Sequence, residues 1–220
     1  MNLENVEQAR FNMIEQQIRP WNVDDSAVLQ LLSIVRREDF VPLAQKALAF
    51  ADLAIALPGN QSMLKPRVQA RLLQDGAVMP TDKVLEIGTG NGYMTALLAR
   101  QAQRVISLEI NPELADMARA NLQLAEIHNA EVRLADGAGG AAVEAPFDVI
   151  MLGGSVAEVP AVLLGQLKIG GRLVGIVGEE PIMRAVVITR TSETGFTTAE
   201  NWDDTAPRLL NFPEPSAFKF

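Results

Sequence analysis

The chain has 220 residues, no cysteine and one histidine, His128, so disulfides, thiolate metal sites and cysteine nucleophiles are excluded together, and a Ser-His-Asp triad or multi-histidine metal site lacks its partners. Its 19 basic and 27 acidic residues give a formal charge of -8, which repels a phosphate backbone, and no basic patch compensates. The apolar runs are too short to span a bilayer and MNLENVEQAR has no leader pattern, so the expectation is a monomeric, cytoplasmic, single-domain protein over residues 1–220, without metal, nucleic-acid or membrane partners.

Residues 4–50 read as helices, because Val6, Ala9, Met13 and Ile14 share one face, as do Ala27, Val28, Leu31, Leu32 and Val35. Asp24 or Asp25 is a candidate N-cap for the second helix, with Pro42 an interruption after it. The loop GNQSMLKP, Gly59 to Pro66, carries one hydroxyl, on Ser62. Pro66 to Gln74 then reads as a short helix, with Gly76 just past its end.

From Lys83 the pattern changes. KVLEIG, RVISLE, AEVRLAD, FDVIML and RLVGIV are short apolar runs suited to buried strands, and the first, second and fourth precede segments of helical period. That alternation predicts an α/β fold, a Rossmann-like, doubly wound, mostly parallel sheet with right-handed crossovers. Met183 to Thr191 reads as one more strand. The divisions expected are an N-terminal helical segment and loop over 1–78, the core over 79–192 and an irregular tail over 193–220.

In KVLEIGTGNGYMTALLAR a strand leads into Gly88, Gly90 and Gly92, and a helix follows from about Tyr93. Glycines let the backbone turn sharply and approach a ligand, and a helix start offers free N–H groups. A steric role in a tight turn explains such a cluster equally well. Two acids add to it: Glu109 closes the second strand, where this fold meets the ribose hydroxyls of a nucleoside, and Asp136 follows the third, where a carboxylate can face an adenine amine. A dinucleotide fingerprint would place its last glycine at position 93, where Tyr93 stands, and Glu86 would set negative charge near a pyrophosphate. Glu86 suits instead a ligand with an ammonium group, and S-adenosylmethionine carries both an ammonium and a sulfonium.

On these residues the chain resembles the protein-L-isoaspartate O-methyltransferases, within the class I S-adenosylmethionine-dependent methyltransferases, over roughly residues 9–180. FNMIEQQIRPWNVDDSAVLQLLSIVRREDFVP is similar to the family's N-terminal segment, VLEIGTGNGY to its donor motif, ADGAGG to its third-strand motif, and AEVPAVLLGQLKIGGRLV to its helix and fifth strand. The resemblance implies donor contacts at Glu86, Gly88, Thr89, Gly90, Gly92, Tyr93, Glu109, Ile110, Asp136 and Gly137. It also implies an acceptor loop at GNQSMLKP, where the family usually reads G-Q-T-I-S-x-P. Ser62 then takes the threonine's place and is the candidate catalytic residue, while Leu64 replaces the serine. Other departures are Pro20, Arg36, LGGS at Leu152 to Ser155, and the tail ending in Phe218 and Phe220.

Methylating a carboxylate needs no strong base, since the acceptor is already ionised at neutral pH. The activity implied is methyl transfer to isoaspartyl residues of damaged proteins. A different small-molecule or protein acceptor, another carboxylate among them, or donor binding without catalysis, stays open because of Leu64, and Ser155 is one candidate to supply the missing hydroxyl. Lys65 is read as a solvated loop lysine or a partner of an acidic acceptor, and a nicotinamide-dependent oxidoreductase comes last.

Overall fold

The computed structural model describes residues 3–214; Phe218 and Phe220 lie outside them. Its α-helices are α1 (Leu3–Asn12), α2 (Ser26–Ile34), α3 (Pro66–Gly76), α4 (Tyr93–Gln101), α5 (Pro112–Leu124) and α6 (Ala161–Leu164), and the N-terminal segment adds a π-helical turn over Met13–Ile18 and short 3-10 turns. Strands β1 (Ile55–Leu57) and β2 (Gln61–Met63) make a small hairpin. The main sheet holds β3 (Lys83–Ile87), β4 (Arg104–Glu109), β5 (Ala130–Leu134), β6 (Phe147–Val156), β7 (Leu167–Glu179), β8 (Ile182–Arg190) and β9 (Phe196–Asp203).

Its order is β5-β4-β3-β6-β7-β8-β9, parallel from β5 to β7 and antiparallel from β7 to β9. The period-2 pleat sends alternate residues to opposite faces, and the core divides accordingly. Val84, Val105, Val149 and Met151 pack with α2 to α5, whereas Leu85, Ile106, Ile150 and Leu152 pack with Leu163 of α6 and Phe212 of the tail. Because β3 leads to β4 on one side and β6 lies on the other, a crevice opens at the carboxyl end of β3.

Several local expectations are corrected. Asp25 caps α2, accepting from Ala27 N at 2.8 Å and Val28 N at 3.4 Å, but α2 ends at Ile34, well before Pro42, and Ala27 is exposed. Helix α3 runs through Gly76, and the left-handed residue after it is Ala77. The reason is tertiary: Arg172 donates to the carbonyls of Gly76 at 2.7 Å and Ala77 at 2.6 Å and pairs with Asp82 at 2.9 Å. The helix after the fourth core strand is the short α6 alone.

The stretch 193–220 is not all tail, for β9 extends the sheet to Asp203. It is a solvent-facing edge strand, FTTAENWD, so it has no run of apolar residues to betray it. Trp202 fastens it to α3 by donating to Asp75 at 2.7 Å and lying under Arg71. Beyond it the chain crosses the end of β6, where Ser155 N donates to Pro207 O at 2.7 Å and Leu209 N to Ser155 O at 2.8 Å.

Asp204 joins this crossing to the N-terminal half. Its carboxylate, on a side chain only 8% exposed, receives Lys65 Nζ at 2.7 Å and Arg67 Nη2 at 3.0 Å, so the partly exposed Lys65 is engaged in an ion pair. Burial opposes the charge, but the bonds from Lys65 and Thr205 N and the two cations outweigh it and hold the carboxyl below its ordinary value. Such a contribution is present at neutral pH and is lost as pH falls through the lowered pKa. Asp204→Asn is expected to destabilise the chain by about 1–3 kcal/mol at pH 7, seen as a Tm several degrees lower in thermal unfolding, with the gap to the unmodified protein closing on acidification.

Candidate functional site

At the crevice lies a cleft of about 710 Å³, part of it open to solvent, bounded by the β3 turn, the ends of β4 and β5, the β1–β2 hairpin and the tail. The turn is built from left-handed glycines: Gly88, Gly90 and Gly92 have φ of 89°, 57° and 85°. A side chain is barred twice over at Gly92, because a Cβ there would stand 3.2 Å from the Cα of Ala118 on α5. The glycine thus lets α4 and α5 approach.

Glu109 secures the turn from the next strand. One carboxylate oxygen accepts from Gly90 N at 2.8 Å and the other from Asn111 N at 2.9 Å, and the side chain is almost wholly buried. Each oxygen keeps a lone pair for a ligand. Ile110 lines the cleft beside it. At the far end Asp136 is exposed, and one of its oxygens accepts from Ala138 N at 2.9 Å. Its other oxygen accepts the Asn211 amide at 2.8 Å, so the tail holds the position expected to face an adenine amine. Gly88, Gly90 and Gly137 also line the cleft.

Four expected donor-site residues do not. Glu86 is fully buried, and its Oε2 accepts from the Thr95 and Ser107 hydroxyls while Oε1 has no partner among the described residues. Direct contact with a ligand ammonium is corrected to a place in the core beneath the turn. Thr89 turns the same way, its hydroxyl 2.6 Å from that of Ser107. Gly92 is covered by α5. Tyr93, first in α4, faces the N-terminal half, its ring 5.4 Å from and edge-on to Phe40, and burial pushes its hydroxyl up to about 12.

On the acceptor side the hairpin turn uses Gly59 at φ 70° and Asn60 at φ 58°. Ser62 is half-buried and lines the cleft, whereas Met63 and Leu64 point into the core. Leu64 is 6% exposed and does not line the cleft. Ser155 does not compensate, since its hydroxyl donates to Ala206 O at 2.8 Å and it is fully buried.

The tail residues Leu209 and Leu210 are cleft walls that sequence reasoning missed. The glycine pair at Gly153 and Gly154 is the one available signal. A Cβ on Gly154 would stand 2.6 Å from Pro207 O, so this departure from the family pattern admits the tail. Among the described residues no group of three or more His, Cys, Asp and Glu side chains is placed to hold a metal ion, and no helix is long and apolar enough to cross a membrane.

A family model described as protein-L-isoaspartate(D-aspartate) O-methyltransferase matches residues 8–202. Among curated proteins, the protein-L-isoaspartate O-methyltransferase of Koribacter versatilis is 39% identical over 181 residues, 82% of this chain and 81% of that one. Protein-L-isoaspartate O-methyltransferase 1 of Syntrophobacter fumaroxidans is 39% identical over 184 residues, 84% and 86% of the two chains. Among solved structures, a putative protein-L-isoaspartate O-methyltransferase from Plasmodium falciparum in complex with S-adenosyl-L-homocysteine superposes with a TM-score of 0.77 at 20% identity, covering 90% of this chain and 96% of that one. That last likeness is one of fold.

Glu86 makes stability depend on pH in a direction opposite to that of Asp204. Burial raises its carboxyl from the ordinary 4.5 to about 7, against the Ser107 and Thr95 hydrogen bonds. The folded state therefore favours the protonated acid, whose contribution is whole below pH 4.5 and is lost as pH rises through about 7. Glu86→Gln cannot ionise. Its Tm is expected to rise relative to that of the unmodified protein across this window, as thermal unfolding at a series of pH values would show.

Proposed function

The chain belongs to the protein-L-isoaspartate(D-aspartate) O-methyltransferase family, and from that premise we propose that it methylates the carboxylate of isoaspartyl residues in damaged proteins, with S-adenosylmethionine as donor. The observation that carries the reading is a single cleft bringing the strand-end acids Glu109 and Asp136 to the Ser62 hydroxyl.

The residues present fit such a donor. Gly90 presents bare backbone to the cleft, with only Leu57 within 4 Å of where a Cβ would stand, at 3.6 Å. Glu109 offers spare acceptor capacity for hydroxyls and Asp136 for an exocyclic amine, and the two carboxylates favour a cationic ligand over a pyrophosphate. Bound S-adenosylmethionine supplies a methyl group on a positively charged sulfur, which a carboxylate can take by displacement without first losing a proton. The chain's own task is alignment and exclusion of water. Ser62, which lines the cleft, would donate to the acceptor carboxylate, with Leu209 and Leu210 walling the cleft from the tail side. The expected cytoplasmic location belongs to the same reading.

One observation favours a second reading, in which the acceptor is some other carboxylate: Ser62 is the one Ser or Thr in the cleft wall among the described residues.

Transfer of labelled methyl to an isoaspartyl peptide, with the matching aspartyl peptide as control, separates the two. Isoaspartyl-dependent labelling is expected, and its absence despite measured donor binding would sink the repair reading in favour of another acceptor. Ser62→Ala should lower kcat/KM for the peptide by about 10- to 100-fold, the loss of one hydrogen bond to a charged group. Leu64→Ser should not raise it, and should cost about 2–5 kcal/mol of stability because it empties a packed core position.

A further inference from the structure

Arg37 is fully buried, yet it forms no salt bridge among the described residues. Burial pulls its pKa down to about 10, only partly countered by the nearby Tyr93 hydroxyl and Asp52 carboxylate. A guanidinium without a paired carboxylate is an expensive group to enclose, so what its fixed fork of donors touches is informative.

It touches four separate stretches of chain. Nε donates to Ala49 O at 3.1 Å, Nη2 to Leu64 O at 2.8 Å and Nη1 to Gln69 Oε1 on α3, while the guanidinium carbon lies 5.4 Å from the ring centre of Tyr93, the residue after the glycine turn. A second buried polar side chain runs parallel to it. Asn91, inside the glycine turn, sends its amide to Phe40 O at 2.9 Å and to Met63 Sδ at 3.1 Å. The strand carrying Ser62 is therefore held at its next two residues, Met63 by the donor-side turn and Leu64 by Arg37. Both neighbours are buried in the core, so fixing Met63 and the backbone of Leu64 limits where the adjoining Ser62 can stand.

We propose that Arg37 is a positioning residue for methyl transfer, holding the chain at Leu64, just after β2, against the glycine turn so that the Ser62 hydroxyl meets the acceptor. The inference rests on the reading of that strand as the acceptor side. It concerns alignment, to which transfer is sensitive on the scale of 1 Å, and not donor binding, because Arg37 does not line the cleft.

The test compares Arg37→Lys, which keeps the charge but loses the fork, with Gln69→Leu, which removes another arm of the same guanidinium and leaves the Leu64 bond. Measured on the full chain are kcat and KM for an isoaspartyl peptide, the Kd of S-adenosylhomocysteine, Tm, and amide hydrogen exchange over 61–65. Arg37→Lys is expected to lower kcat/KM for the peptide by about 10- to 100-fold, to leave the S-adenosylhomocysteine Kd within about threefold, and to speed exchange over 61–65. Gln69→Leu should lower Tm by a similar amount yet keep kcat/KM within about threefold. The proposal is overturned if both variants lose activity in proportion to Tm, if donor affinity falls alongside acceptor kinetics, or if exchange over 61–65 stays unchanged in Arg37→Lys. Should the unmodified chain fail to label the peptide, the repair reading falls instead, and exchange over 61–65 alone still decides whether Arg37 holds the strand.

Discussion

Strand β3 sits between β4 and β6, and the chain leaves it toward β4 while β6 is reached only after β4 and β5 have both been laid down on the other side. The carboxyl end of β3 is therefore uncovered by any direct connection, and the backbone there must turn at once into α4. Glycine makes the turn possible, and the Glu109 carboxylate makes it rigid by accepting from Gly90 N and Asn111 N together. Every other wall of the cleft is placed relative to this turn. The hairpin is tied to it through Asn91, α5 packs on Gly92, and Leu209 of the tail reaches Gly88.

Buried polar groups do much of the aligning, and they do so where apolar packing would leave choices open. Glu86, Ser107, Thr89 and Thr95 form one connected cluster under the turn. Arg37, Gln69 and the carbonyls of Ala49 and Leu64 form another beneath the hairpin. Apolar contacts are non-directional, so a leucine-filled interface would tolerate small slides of the hairpin across the turn. Hydrogen bonds to a buried cation do not, because a displaced strand would leave the charge unsatisfied.

The departures from the family pattern also make sense jointly. Gly153 and Gly154 at the end of β6, and the tail from Ala206 to Phe212, are one packed unit: the glycines leave room, Ser155 supplies the bridge, and Phe212 enters the core on the face where α6 is the short cover. Leu64 belongs to a similar arrangement, its side chain in the core and its carbonyl on Arg37. Leu64 and the Gly153–Gly154 pair thus each have a packing role, whereas Pro20 and Arg36 are exposed.

What could be read from the sequence was what local chemistry fixes. The runs KVLEIG and RVISLE had to be buried strands, the glycines had to make a tight turn into a helix, and Glu109 and Asp136 had to stand at strand ends, because period, propensity and turn geometry act within a few residues. Even Asp25, bonding to amides two and three residues on, was legible for that reason. The tertiary structure decided everything that depends on distant partners. It turned Glu86, Thr89 and Tyr93 inward, set Asn211 on Asp136 across 75 residues, and made a polar stretch near the end of the chain into β9. Arg37 shows the limit best: in the sequence it is one basic residue in RRED, and only the convergence of positions 49, 64, 69 and 93 makes it a buried hub. Which side of a strand or helix faces a ligand, and which faces the core, is settled by what packs against it, and no local pattern carries that information.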